Sequence, residues 1–259
     1  MAEADGHNSG TIAVSLTVTE GTPNAAGNYS PVMWVLRAAD SYGESYSGSK
    51  VTGVVTINGT TIGYSYAWSS PGTQTRTLAS GTINVGHSAD GTKTIGFSFT
   101  FSGIPGTSNS GGASGSSSMT LTHIPPQTPT GLTIGTQTTP GSVPVSWSAA
   151  AGSTPSSYTI RADDDPAFGS PLTFTSSTPS MTLTGLEKGT TYYIDVRATN
   201  SSGSSAYTAS QSVLTLAGAK RWDGTDWVAA PTFKRWNGNS WVPVTTAKRW
   251  DSTAWVNLT

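Results

Sequence analysis

Cysteine is absent from the 259 residues, so neither disulfides nor thiolate metal sites can hold the fold together. Charge is scarce as well: Asp, Glu, Lys and Arg make up 10% of the chain, against roughly 25% in an ordinary soluble domain. The net charge is −1, which leaves no large basic field to draw in a phosphate backbone and excludes nucleic acid as an expected partner. No run of about 18 apolar residues occurs, so no membrane span is expected. No stretch sustains a 3.6-residue apolar period between helix caps. The opening Met1-Ala2-Glu3-Ala4-Asp5-Gly6 is polar and acidic, where an export signal would be basic and then apolar. From that start the protein is expected to be made and folded in a cytoplasm without export.

Catalytic constellations are lacking too. His7, His87 and His123 do not stand at metal-ligand spacing from one another. His87 reads as a residue flanking the Asp90-Gly91 turn. Asp163-Asp164-Asp165 lacks the spaced oxygen ligands of a calcium loop and reads as a solvated inter-strand loop. No nucleophile elbow, phosphate loop or dinucleotide fingerprint is present. A glycan hydrolase built on two carboxylates is the enzymatic rival, because their spacing is set in three dimensions. Few acidic residues in the first region weigh against it. The expectation is no enzyme, no cofactor and no metal.

What the chain has is glycine, serine and threonine around short apolar runs, a pattern of brief strands and tight turns. Thr11 to Thr19 places Ile12, Val14, Leu16 and Val18 at period two. Val32 to Leu36 reads as a more buried run, and Val51 to Ile57 alternates into the hairpin dipeptide Asn58-Gly59. Thr94 to Phe101 alternates strongly. Gly106 to Ser118 reads as a mobile Gly/Ser loop, and Met119 to Ile124 as a last strand. The predicted fold is all-β. It has an N-terminal β-sandwich over 1–124, a second sandwich over 125–217 behind a stiff Pro-rich linker, and short β-hairpin repeats over 218–259.

The last region repeats at 14 residues. Lys220-Arg221-Trp222-Asp223-Gly224 leads to Trp227-Val228. Lys234-Arg235-Trp236-Asn237-Gly238 leads to Trp241-Val242. Lys248-Arg249-Trp250-Asp251-Ser252 leads to Trp255-Val256. These six tryptophans are the candidate contact residues. A two-residue turn would pair Trp222 with Thr225, and a four-residue turn would pair it with Trp227; the two indoles share a face either way. The altered Asp251-Ser252 turn marks the third copy as a terminal cap. Six exposed indoles would make an aggregation-prone patch, so they must pack on each other, dock on a partner, or stack on sugar rings.

The second region resembles a fibronectin type III domain. The resemblance rests on Pro129-Thr130-Gly131-Leu132, Val145-Ser146-Trp147, Tyr158-Thr159-Ile160 and Leu183 through Tyr192, and it implies a sandwich with a tyrosine corner. The first region resembles a β-rich module of siphophage tail and receptor-binding proteins, through Val54-Val55-Thr56-Ile57-Asn58-Gly59 and Ser80 through Ile95. The Lys-Arg-Trp-Asp-Gly tail is similar to C-terminal repeats in minor tail proteins of phages that infect actinobacteria. Together these imply a structural virion component, made in the host cytoplasm and released by lysis, and in particular a minor tail protein at the tail tip that aids host attachment. The implied partners are other tail subunits, host cell-envelope glycan, and further copies of the chain in a homo-oligomer, a trimer being one form. A cell-wall carbohydrate-binding module and a capsid decoration protein are the alternatives.

Overall fold

The computed structural model describes residues 1–7, 12–40, 47–69, 74–104, 111–218, 220–222, 225–229, 234–243, 247–250 and 255–258. Every regular element among them is a β-strand, as the patterning predicts. The chain divides into two bodies. The first is Met1–Gln127 with Ala151–Thr154 and Asn200–Gly203, and the second is the rest.

The first body holds β1 (Ala2–His7), β2 (Ile12–Glu20), β3 (Tyr29–Asp40), β4 (Ser47–Ile57), β5 (Thr60–Ser69), β6 (Thr75–Gly86), β7 (Thr94–Phe101) and β8 (Ala113–Thr120). One sheet runs β1-β2-β3-β6 and the other β5-β4-β7-β8, with antiparallel pairing throughout. Alternation sends Ile12, Val14, Leu16 and Val18 of β2 inward, where they meet Ile95, Phe97, Phe99 and Phe101 of β7 in one core. Asn58 and Gly59 have φ of 47° and 82°, the two positive values that a mirror-image hairpin turn needs. Ile57 therefore pairs with Thr60 across a two-residue loop.

Three expectations are corrected here. The Gly106–Ser118 loop is shorter than the composition implies: residues 105–110 lie outside the described set, and Ala113 onward is strand, with Ser117 paired to Phe97 and Gly115 to Phe99. The backbone pairing and the apolar weight of β7 override the weak strand preference of Gly and Ser. The segment predicted as a last strand stops at Thr120; Leu121 and Ile124 are buried outside regular structure. Val32 to Leu36 is not evenly buried, since Met33 is 43% exposed while Trp34 is 3%. It follows the strand period of two.

The second sandwich is built from β9 (Thr130–Ile134), β10 (Val143–Ser148), β11 (Ser157–Asp163), β12 (Leu172–Ser176), β13 (Ser180–Leu183), β14 (Thr191–Asn200), β15 (Gly203–Ser204) and β16 (Gln211–Leu214). One sheet runs β13-β10-β9 and the other β12-β11-β14-β15, with β16 also on β14. Its core is centred on Trp147 and Tyr158, whose rings meet edge to face with centroids 5.2 Å apart. The tyrosine corner is present: the Glu187 N–H donates to the Tyr192 hydroxyl at 3.2 Å. Arg161 makes a two-point contact with Asp195, Nε–Oδ1 at 3.0 Å and Nη2–Oδ2 at 2.5 Å. Its guanidinium lies 3.7 Å from the Tyr207 ring centroid and 4.3 Å from that of Phe168.

Behind these strands come β17 (Lys220–Trp222), β18 (Trp227–Ala229), β19 (Lys234–Trp236), β20 (Trp241–Pro243), β21 (Ala247–Trp250) and β22 (Trp255–Leu258). They form three separate two-stranded antiparallel sheets, β17-β18, β19-β20 and β21-β22.

Candidate functional site

The nine tryptophans sort into two populations. Trp34, Trp68 and Trp147 are core residues at 3%, 0% and 5% exposure. The other six occupy the hairpins. There the register resolves the open turn length: Trp222 pairs with Trp227, Trp236 with Trp241, and Trp250 with Trp255. All three hairpins therefore span a four-residue loop and set their tryptophans directly opposite each other.

The second hairpin shows why. Its loop is organised by the Asn237 side chain, whose Oδ1 accepts from the backbone N–H of Asn239 at 2.9 Å and of Ser240 at 2.8 Å. The Asn237 N–H closes the loop on the Ser240 carbonyl at 3.1 Å, and Gly238 takes a φ of 102°. Asn at the first loop position thus acts through its side chain rather than as half of a two-residue turn. The Trp236 and Trp241 rings meet at 5.8 Å between centroids and 61° between planes. That is an edge-to-face pair. Mutual packing still leaves Trp236 55% and Trp241 64% exposed. The side chains of Trp222, Trp227, Trp250 and Trp255 lie outside the described residues, as do Asp223-Gly224 and the Asp251-Ser252 turn expected to cap the array.

Elsewhere the described residues hold no group of three or more His, Asp or Glu able to bind a metal. The Asp163 carboxylate, expected in a solvated loop, is buried and works within the chain. It accepts from the backbone N–H of Asp165 at 3.1 Å and of Ser170 at 2.9 Å. The hydrogen bond from Asp165 leads the effects that hold its carboxyl below the usual range.

One cluster escaped the sequence reading. Ser30, fully buried on β3, donates to Glu20 Oε1 at 2.6 Å and lies 2.9 Å from His87 Nε2. His87 Nδ1 is 2.9 Å from the Gly91 carbonyl, which can only accept. The other Glu20 oxygen accepts from the Thr122 N–H at 2.8 Å and hydroxyl at 2.9 Å. Burial pushes the Glu20 carboxyl up, but the hydrogen bonds from Ser30 and Thr122 and the nearby His87 together bring it below its ordinary value. A serine, a histidine and a carboxylate are in contact, yet this is not a hydrolytic triad. Serine sits in the middle, gives its proton to the carboxylate, and is sealed from solvent. His87 is therefore a cross-strand tie as well as the turn-flanking residue its sequence context implies. Residues 10 and 57 positions from Ser30 meet only through the sheet pairing, so no local motif announces them.

Comparison with known proteins places the two sandwiches. A family profile described as "Siphovirus protein of unknown function (DUF859)" matches residues 1–142, and one for the fibronectin type III domain matches residues 125–213. No curated protein matches the chain. Among solved structures, the FN5 domain of Drosophila Lar is 27% identical over 36% of this chain and 99% of its own, with a TM-score of 0.31. A two-domain fibronectin type III segment from chicken tenascin is 11% identical over 76% of this chain and 98% of its own, with a TM-score of 0.43. Because the siphovirus profile covers more than half of its length, the chain belongs to that siphovirus protein family, and it carries a fibronectin type III domain as its second sandwich.

Proposed function

We propose that the protein is a structural, non-enzymatic component of a siphovirus tail, a minor tail protein at the tail tip that helps the particle attach to its host. The observation that carries this reading is the siphovirus family match over residues 1–142. The rest of the chain is in keeping with it. A fibronectin type III sandwich supplies fold rather than chemistry. Ser30, the hydroxyl shared by Glu20 and His87, is sealed from solvent. Partners in this reading are other tail subunits, further copies of the chain, and host-envelope glycan.

Immunogold labelling of purified particles tests it. Label confined to the distal tail is expected. Label spread over the head would establish capsid decoration instead, and absence of the chain from intact particles would end both readings. The rival reading, a free carbohydrate-binding module, is favoured by one observation, the exposed Trp236–Trp241 pair. It requires the protein to be found apart from particles.

A further inference from the structure

The hairpin region carries charge as well as indole. Residues 218–259 hold six of the chain's thirteen Lys and Arg against three of its fourteen carboxylates, so this region is +3. The rest of the chain holds seven against eleven, which makes it −4. Each cation pair stands immediately before the first tryptophan of its hairpin, as Lys220-Arg221, Lys234-Arg235 and Lys248-Arg249. The three hairpins share one register, so the placement of cations and tryptophans is repeated three times.

We propose that the three hairpins are a trivalent site for an anionic polysaccharide. Sugar rings stack on the indoles, and phosphate or carboxylate groups of the polymer pair with the Lys-Arg steps. This rests on the reading of the chain as a host-attachment component, and it names the ligand class.

Charge complementarity selects the occupant. A protein partner is disfavoured because the buried centre of protein interfaces is depleted in lysine, and here a lysine precedes every first tryptophan by two positions. A nucleic acid strand is disfavoured by ring geometry. Successive bases want parallel aromatic faces, whereas Trp236 and Trp241 meet at 61° and leave no parallel slot between them. A sugar needs only one open indole face for its C–H bonds, with polar groups at its rim. Both indoles are more than half exposed, and Asn237, Asn239 and Ser240 are exposed beside them. One such hairpin makes a weak site. Three on one chain gain avidity if the ligand is a polymer that spans them.

Calorimetric titration of the full chain tests this. The probes are a polyuronate, a lipid-free glycerol-phosphate polymer, neutral dextran and a polythymidine oligonucleotide. At least one charged glycan is expected to bind, at least about tenfold more tightly than dextran, and to weaken as salt rises. Which of the two binds identifies the anion. W236A/W241A should weaken binding by about tenfold or more through lost valency. K234Q/R235Q should weaken it and flatten the salt dependence. Both variants should keep the thermal transitions of the parent; Trp236 and Trp241 are exposed and lie outside both sandwich cores. Tighter binding to polythymidine, equal binding to dextran, indifference to W236A/W241A, or no binding to any probe would each overturn the proposal. Label at the tail without polymer binding would overturn this inference alone. Polymer binding by a chain absent from particles would overturn the attachment reading and leave the site standing.

Discussion

Ser30 has a single hydroxyl proton and two polar neighbours, and that count governs what the residue does. Its proton goes to Glu20 at 2.6 Å, and its oxygen also lies 2.9 Å from His87 Nε2. Replacing Ser30 with alanine removes the shared atom and strands two polar groups against a buried methyl. A loss of about 1–3 kcal/mol is expected, read from the denaturant midpoint; an unchanged midpoint would refute it. Glu20 adds a pH dependence whose sign follows from its depressed folded-state value. Below the ordinary value of 4.5 the unfolded chain binds the proton more readily than the folded one. The contribution of Glu20 is therefore complete above that value, and it is lost as pH falls through the lower folded one. Glu20→Gln should flatten the acid limb of the stability profile and leave its slope above pH about 6 as in the parent. A steeper acid limb in the variant would show the sign to be wrong.

Strands show the same dependence on partners. β7 is legible because large apolar residues alternate over its whole length, so each Phe or Ile marks the inward side. β1 and β8 are not, because Ala, Gly and Ser leave no periodic signal. Their small residues have a reason that only the packing reveals. A Cβ on Gly6 would lie 2.6 Å from the Ser114 carbonyl oxygen, and one on Gly115 would lie 2.7 Å from that of Asp5. The two edge strands approach so closely that a side chain at either position would strike backbone. Gly115→Val should therefore destabilise the first sandwich by about 1–3 kcal/mol or more, whereas Gly96→Val on β7, where nothing lies within 4 Å of the added Cβ, should change it far less. Equal effects would show that the approach is not constrained. The hairpins lie between these cases. Sequence placed both indoles of a copy on one face and left the loop length open, because Asn-Gly suits a two-residue turn in isolation. The Asn237 side chain, engaging the N–H groups two and three residues on, selects the four-residue loop.

At the scale of the molecule, the sequence divides its apolar residues between two cores and its exposed indoles elsewhere. Among the described residues, the buried members of the first core run from Ala4 to Leu121 and those of the second from Leu132 to Ala198. Each sandwich thus buries its own inner faces, which is the condition for a cooperative unit. Scanning calorimetry should resolve two transitions. Phe99→Ala empties a large side chain from the first core, worth about 3–5 kcal/mol, and should lower one transition while the other stays in place. Ile160→Ala, worth about 2–5 kcal/mol, should do the same to the other. W236A/W241A should move neither, since that pair adds nothing to either core. A single transition that both core variants lower equally would mean that the two sandwiches unfold as one unit. A transition lowered by the tryptophan variant would mean that the hairpins serve the fold rather than a ligand. With both transitions unmoved and glycan binding lost, the indoles are left with recognition as their role, for they contribute nothing measurable to folding.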